Sequence, residues 1–182
     1  MSELYKGAPA DERIEKERRT YEHLEKLGIE YYRADHEEAA TIEACHEVEK
    51  VLESKICKNL LLCNRQCTDF YLLLIPGDKP FKTKDLSKQI GTARLSFASG
   101  EKMEELLNIT PGSLSVMGLI FDESNRVRLL IDKPLLDDEY LCCHPCINTS
   151  TLKIRTEDVI NKFIPSTGHT PTIVDLPIPE EE

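Results

Sequence analysis

Ile56-Cys57-Lys58-Asn59-Leu60-Leu61-Leu62-Cys63, followed after a polar stretch by Phe70-Tyr71-Leu72-Leu73-Leu74-Ile75, is the segment whose reading decides the fold. Leu60–Leu62 and Leu72–Ile75 are continuous apolar runs, without the alternation of a strand that has one wet face. Both therefore read as strands buried on both sides, central to a sheet. Asn64 to Asp69 between them reads as a hairpin connection. Lys58-Asn59 breaks the apolar pattern. An ammonium is costly to bury unpaired. Lys58 is thus either an edge residue with its charge in solvent or a cation at the mouth of a cleft, suited to a phosphate or a developing oxyanion.

Working outward, Ala10 to Leu27 reads as an amphipathic helix with Asp11 as its cap, a stripe of Ile14, Tyr21, Leu24 and Leu27, and Gly28 as its stop. A short strand is expected over Ile29–Ala34 and a second helix after Thr41, with Glu43, Glu47, Glu49 and Glu53 on its wet face. Downstream, Thr83 and Ser99 are expected to cap helices ending at Gly91 and Leu107. Leu114–Phe121 is apolar, interrupted by Gly118. Strands are predicted over Val127–Ile131, Glu139–Cys143 and Leu152–Ile154, then a last helix capped by Thr156 and a closing strand over Ile173–Leu176. The expected architecture is α/β: a single domain over residues 1–182, with a mixed β-sheet or partly closed barrel flanked by helices. The N-terminal helix and a short acidic tail over 177–182 complete it.

Lys plus Arg number 23 and Asp plus Glu 33, a net charge of −10. A general nucleic-acid binder would carry a broad basic footprint, and with no Trp and 6% aromatics a broad base-stacking platform is excluded too. No apolar run approaches the roughly 20 residues of a membrane span. Met-Ser-Glu-Leu-Tyr-Lys at the start lacks the apolar region of a secretion signal. The expectation is a cytoplasmic protein that engages neither membrane nor DNA.

Seven cysteines, an odd number, argue against a disulfide framework. Cys63-x-x-x-Cys67 and Cys142-Cys143-His144-x-Cys146 invite a zinc reading, but their spacing is poor. Adjacent Cys142 and Cys143 would point to opposite faces of a strand. Reduced cysteines filling the core are the alternative, and no metal is expected. The same opposition disfavours Cys143-His144 as a nucleophile pair. No Ser-His-Asp order, zinc-protease helix, phosphate loop or dinucleotide fingerprint is present. Thr110-Pro111-Gly112-Ser113 and Met117-Gly118 offer backbone for close ligand approach. His144-Pro145 and Asn148-Thr149-Ser150-Thr151 place polar side chains on a connection between strands, where sites concentrate. Each of these is also ordinary turn chemistry.

Taken together, six segments resemble the YbaK/ProX-type prolyl-tRNA editing deacylases, over about Leu24 to Leu176. They are His36-Glu-Glu-Ala-Ala-Thr41, Lys58-Asn-Leu-Leu-Leu62, Asp69-Phe-Tyr-Leu, Pro111-Gly-Ser-Leu-Ser-Val-Met-Gly-Leu119, His144-Pro-Cys-Ile-Asn-Thr149 and Thr167-Gly-His-Thr-Pro171. The last two look closest to the branch acting on alanyl-tRNA(Pro). The resemblance implies hydrolysis of the ester of a mischarged tRNA(Pro). A proline-shaped synthetase pocket cannot strongly reject a smaller amino acid, since a missing methylene is worth only about 1–3 kcal/mol. It implies Lys58 as the catalytic lysine, holding the terminal phosphate or ribose. Asn59, Gly112, Ser113, Gly118, His144, Asn148, Thr149, His36 and Thr41 are implied as substrate-binding. No cofactor, metal or covalent intermediate is implied, and a monomer is expected to meet the acceptor end of the tRNA. Val116 stands where the family loop has proline, and Glu37 and Glu38 where it has apolar residues or proline. The alternatives are a cysteinyl-tRNA(Pro) deacylase on the same fold and a non-catalytic module that binds aminoacyl-tRNA.

Lys79, Lys82, Lys84 and Lys88 form a local positive run which, with Lys50, Lys55 and Lys58, is placed to guide an acceptor end. A solvated helix face is the plainer account of the run. A footprint confined to the tip of a tRNA predicts a shallow dependence of binding on salt, because the slope counts neutralised phosphates. Titrating tRNA binding across salt concentrations checks this, and a steep slope would contradict it.

Overall fold

The computed structural model describes residues 3–38 and 42–179. The two apolar runs form an antiparallel hairpin, β3 (Cys57–Cys63) and β4 (Phe70–Pro76), in register from Cys57↔Pro76 to Cys63↔Phe70. Asn64 builds the turn: its Oδ1 accepts from the backbone N–H groups of Thr68 and Asp69 at 2.9 and 3.1 Å. β4 is central, as expected. Leu72, Leu73, Leu74 and Ile75 are all 0% exposed. Leu72 and Leu74 face a large core with Leu129 and Ile131, and Leu73 and Ile75 face a smaller one with Leu86 and Leu130.

β6 (Val127–Asp132) runs parallel to β4, and β9 (Thr172–Val174) parallel to β6. β5 (Ser96–Phe97) pairs with the last two residues of β3. The order is β5-β3-β4-β6-β9. A second sheet, wholly antiparallel, has the order β1 (Leu4–Lys6), β2 (Tyr31–Asp35), β8 (Ser150–Arg155), β7 (Tyr140–Cys143). The sheets share the large core, where Leu61 and Leu72 of one meet Leu141, Leu152 and Ile154 of the other. They are linked by the isolated bridge Ile56↔Cys142. The mixed sheet of the α/β expectation is present, but the sheets do not close into a barrel.

The helices are α1 (Glu15–Lys26), α2 (Ile42–Leu52), α3 (Thr83–Ile90), α4 (Gly100–Leu107) and a last helix over 156–166 that widens into a π-turn at Val159–Phe163. Ser99 caps α4 through its side chain, as expected. Asp11 does not cap α1, because Arg13 binds its carboxylate at 2.7 Å and the helix begins only at Glu15. Thr156 opens the last helix with its hydroxyl buried and unpaired rather than capping it. Thr41, the expected cap of α2, lies outside the described residues. Val116–Phe121 winds as a 3-10 turn in which Gly118 is buried. A Cβ there would come within 2.6 Å of Ile109 Cδ1, so this glycine serves close packing.

One member of the lysine run is not at the surface. Lys79 is buried, with its Nζ 2.7 Å from Asp132 Oδ2 and 2.5 Å from the Leu176 carbonyl. Asp132 also accepts from the Leu176 N–H at 2.9 Å. This pair ties the turn after β4 to the chain leaving β9. Removing one partner of a buried pair strands a charge, which costs about 3–5 kcal/mol. Asp132→Ala should lose stability of that order in urea unfolding, and Lys79→Met combined with Asp132→Leu should recover much of it.

Candidate active site

β3 has β4 along its whole length on one side but β5 against only Leu62 and Cys63 on the other. The uncovered edge opens into a cleft of about 1480 Å³. Its walls are the C-terminal half of α2 and the turn after it, Gly77-Asp78, Phe97 and Ala98, Met103, the loop Pro111–Leu114, and Cys143-His144 at the end of β7. Lys58, Asn59, Gly112 and His144 all line it.

Lys58 sits half-buried and donates its Nζ to the Lys79 carbonyl at 2.5 Å. Nearby Asp78 bonds Lys55 at 3.1 Å, and that hydrogen bond, with the charges of Lys55 and Lys58, holds its carboxyl below the usual range. Asn59 donates its Nδ2 weakly to Cys57 Sγ at 3.8 Å, while its Oδ1 is buried with no partner. A buried acceptor left unmade costs about 1–3 kcal/mol, a debt that a ligand donor would relieve.

His144 donates its Nδ1–H to the Ser150 carbonyl at 2.8 Å. That bond sets the tautomer and leaves the lone pair on Nε2. Among the described residues Nε2 has no hydrogen-bond partner. Burial lowers the His144 pKa, the Ser150 bond opposes the shift, and the charge of His36 adds to it. The ring is neutral at pH 7. His36 stands behind, its ring centroid 6.3 Å from that of His144. It is held through Nδ1 to the Glu37 carbonyl at 2.7 Å and through Nε2 to the Thr151 hydroxyl at 2.8 Å.

Ser150 is the hub beneath His144. Its Oγ donates to Asp35 Oδ1 at 2.6 Å. Arg13 binds the same carboxylate at 3.1 Å and also reaches Ser150 Oγ at 3.3 Å, and Arg33 adds a further bond to Asp35. Burial would raise the Asp35 pKa, but the bonds from Arg33, Arg13 and Ser150 outweigh it and hold the group at about 2. This anchorage is therefore present above the ordinary carboxylate pKa and lost only as pH falls toward about 2.

Gly112 lies in the left-handed region at φ +92, with Asn148 Nδ2 3.7 Å from where a Cβ would stand. Asn148 thus braces the loop from behind. Thr149 is exposed and contributes its carbonyl, which accepts from His36 N–H at 2.9 Å. Ser113 is buried and turns away from the lining, and Gly118 is in the core. Thr41 is outside the described residues. The two cysteine clusters lie on different sheets, and Cys142 and Cys143 do face opposite ways, into different hydrophobic clusters. Burial pushes the Cys57 thiol up to about 12 and the Cys143 thiol well above its ordinary value. Burial also raises the Cys45 thiol, the third that lines the cleft, so none of the three supplies a thiolate at neutral pH.

The arrangement therefore offers two acceptors without donors (Asn59 Oδ1 and His144 Nε2), one ammonium, a glycine loop and apolar walls. Asp35 and Phe97 escaped the sequence reading, and Ser150 was named only as one of the polar residues of its connection. Asp35 precedes His36 and Ser150 lies within the polar connection already noted, so proximity was a usable signal for those two; Phe97 had none.

Residues 36–162 match the aminoacyl-tRNA editing domain family. The chain belongs to that family. The editing domain spans every cleft residue named above. The chain is 30% identical over 153 residues to the prolyl-tRNA editing protein ProX of Acetoanaerobium sticklandii, covering 84% of this chain and 93% of that protein. It is 30% identical over 171 residues to prolyl-tRNA synthetase associated domain-containing protein 1 of Danio rerio, covering 93% and 90%. A solved structure described as a candidate trans-editing enzyme for prolyl tRNA synthetase shares the fold, with a TM-score of 0.67, 16% identity and coverage of 91% and 98%.

The state of His144 in this editing domain is directly measurable. Long-range ¹H–¹⁵N NMR at pH 7 should show a neutral ring protonated on Nδ1, titrating below the ordinary 6.5. A ring protonated on Nε2, or one titrating above that value, would contradict the geometry.

Proposed function

We propose that this protein is a trans-editing deacylase that hydrolyses the ester of mischarged Ala-tRNA(Pro). The observation that carries the reading is the convergence of Lys58, Asn59, Gly112 and His144 on one cleft with two unfilled acceptors. An aminoacyl ester brings what such acceptors lack: an α-ammonium group and a ribose hydroxyl beside the ester. The relative named a prolyl-tRNA editing protein, and the one named for association with prolyl-tRNA synthetase, support the choice of tRNA.

In this reading Lys58 leaves its carbonyl tether to hold the ribose–phosphate end, and Gly112 lets the backbone approach the ester carbonyl. Asn59 and neutral His144 fix the amino acid and the ribose. Water attacks the carbonyl carbon, the bond to the ribose oxygen breaks, and that oxygen takes a proton. The products are free alanine and a tRNA with its terminal hydroxyl restored. The ester is labile, so positioning and oxyanion stabilisation suffice. High thiol pKa values at Cys57 and Cys143 favour water over a protein nucleophile. No cofactor or metal is needed for these steps.

Removing a charged hydrogen-bond donor costs about 1.5–3 kcal/mol, roughly 10- to 150-fold in rate. Lys58→Ala should slow deacylation of Ala-tRNA(Pro) by that factor. Enzyme-dependent hydrolysis should also fall as pH drops through the lowered His144 pKa, because Nε2 then becomes a donor. Faster clearance of Cys-tRNA(Pro) would move the substrate to the cysteinyl ester, and binding without turnover of any mischarged tRNA(Pro) would overturn the deacylase.

A further inference from the structure

We infer that Phe97 is a stacking platform for the terminal base of the nucleic acid whose ester enters the cleft, an inference that rests on the editing reading above. Large apolar side chains exposed to solvent are few among the described residues, and Phe97, at 61% exposed, is the one of them that lines the cleft. Leaving a ring of this size in water forgoes its burial energy, so its exposure beside a cleft points to a ligand that covers it.

The ring is not loosely placed. Phe97 lies on β5, in register with Leu62 of β3. Phe81 packs against it edge to face, with centroids 6.4 Å apart and planes at 72°. Directly paired residues on neighbouring strands share a face, and side chains alternate along each strand. Phe97 is therefore on the β3 face of Leu62, Leu60 and Lys58, whereas Asn59 is on the other. The cleft wraps the uncovered edge of β3 and takes in both faces. One half holds Asn59, which with Gly112 and His144 of the same cleft suits an aminoacyl ester. The other holds Lys58, Leu60 and Phe97: an ammonium, an apolar floor and an exposed ring. That second set matches a phosphate, a sugar and a base in sequence. Leu62 is three residues from Asn59, roughly 10 Å at the rise of a strand, a span that a ribose and its base can bridge.

Over the whole cleft the charges balance, Lys50, Lys55 and Lys58 standing against Glu49, Glu53 and Asp78. The occupant is a nucleotide rather than a peptide because Lys58, on the same face as Phe97 and hydrogen-bonded to a neutral carbonyl, sets an ammonium in line with the ring, and Lys82, beside Phe81, is exposed. A single ring also agrees with a chain too poor in aromatics to build a broad platform. Stacking tolerates any base, so the platform adds affinity without adding sequence preference.

The test uses an RNA acceptor minihelix with 2-aminopurine in place of the terminal adenine, and the same minihelix mischarged with alanine. Wild-type protein should quench the 2-aminopurine. Phe97→Ala should weaken that binding roughly tenfold or more, and Phe97→Tyr should restore it. In turnover, Phe97→Ala should raise KM by a larger factor than it lowers kcat. Thermal unfolding of each variant establishes that it is folded, as expected for an exposed position. Wild-type hydrolysis with no quenching, or with KM and quenching unmoved by Phe97→Ala, overturns the platform and leaves the editing reading standing. Phe97-dependent quenching without hydrolysis of any mischarged minihelix supports the platform and removes the editing reading. Neither quenching nor hydrolysis overturns both.

Discussion

The structure depends on one imbalance in hydrogen bonding. β3 is saturated by β4 on one side and nearly unpaired on the other, where β5 covers only Leu62 and Cys63. Backbone amides and carbonyls at such an edge need either water or a partner. The protein leaves them beside a cleft instead of covering them with another strand. The Ile56↔Cys142 bridge then brings β7 to the near end of β3, and β7 delivers His144 to the same space. Had β5 run the length of β3, Lys58 and Asn59 would border a paired strand and the cleft would be closed. The buried hairpin supplies rigidity, and its incomplete pairing supplies the site.

The second sheet contributes through electrostatics. His144 is held by the carbonyl of Ser150, Ser150 by Asp35, and Asp35 by Arg13 and Arg33. Arg13 precedes α1, so the N-terminal segment is fastened directly beneath the candidate site. A partly buried carboxylate between two guanidiniums is a strong anchor because each bond is charge-assisted. Its pKa of about 2 keeps that anchor charged at neutral and mildly acidic pH. Over that range the histidine can change state without its support changing with it.

What was legible in the sequence was whatever depends on near neighbours. The leucine runs declared a doubly buried hairpin, Ser99 declared its helix, and Lys58-Asn59 declared a polar interruption in an apolar strand. What was illegible depends on partners distant in the chain. Lys79 reads as one more surface lysine until Asp132, distant in sequence, is seen to pair with it in the core. Asp11 reads as a cap until Arg13 takes its carboxylate. Gly118 reads as freedom for a ligand, yet Ile109 and Leu107 leave no room there for anything but hydrogen. The barrel alternative failed for a related reason: closure needs strands at the free edges to meet, and no local pattern reveals whether they do. At the site, Lys58, Asn59, Gly112 and His144 could be named individually, but not that the register sets Lys58 and Phe97 on the face of β3 opposite Asn59.

An acidic chain can still favour a polyanion at one place if its cations there are weakly committed. Around the cleft Lys55 pairs with Asp78 and Lys50 with Glu47, all largely exposed. Exposed pairs of this kind are worth only about 0–1 kcal/mol, so an arriving phosphate can exchange for the carboxylate at little cost. Lys58 is tethered to a neutral carbonyl, which leaves its charge uncompensated by that contact. Lys79, locked against Asp132 in the interior, is withheld from any ligand. In the proposed reading, the surplus of carboxylates over the chain disfavours contact with the body of a nucleic acid, and these few side chains meet only its end. Net charge, in that reading, limits where contact occurs rather than whether it occurs.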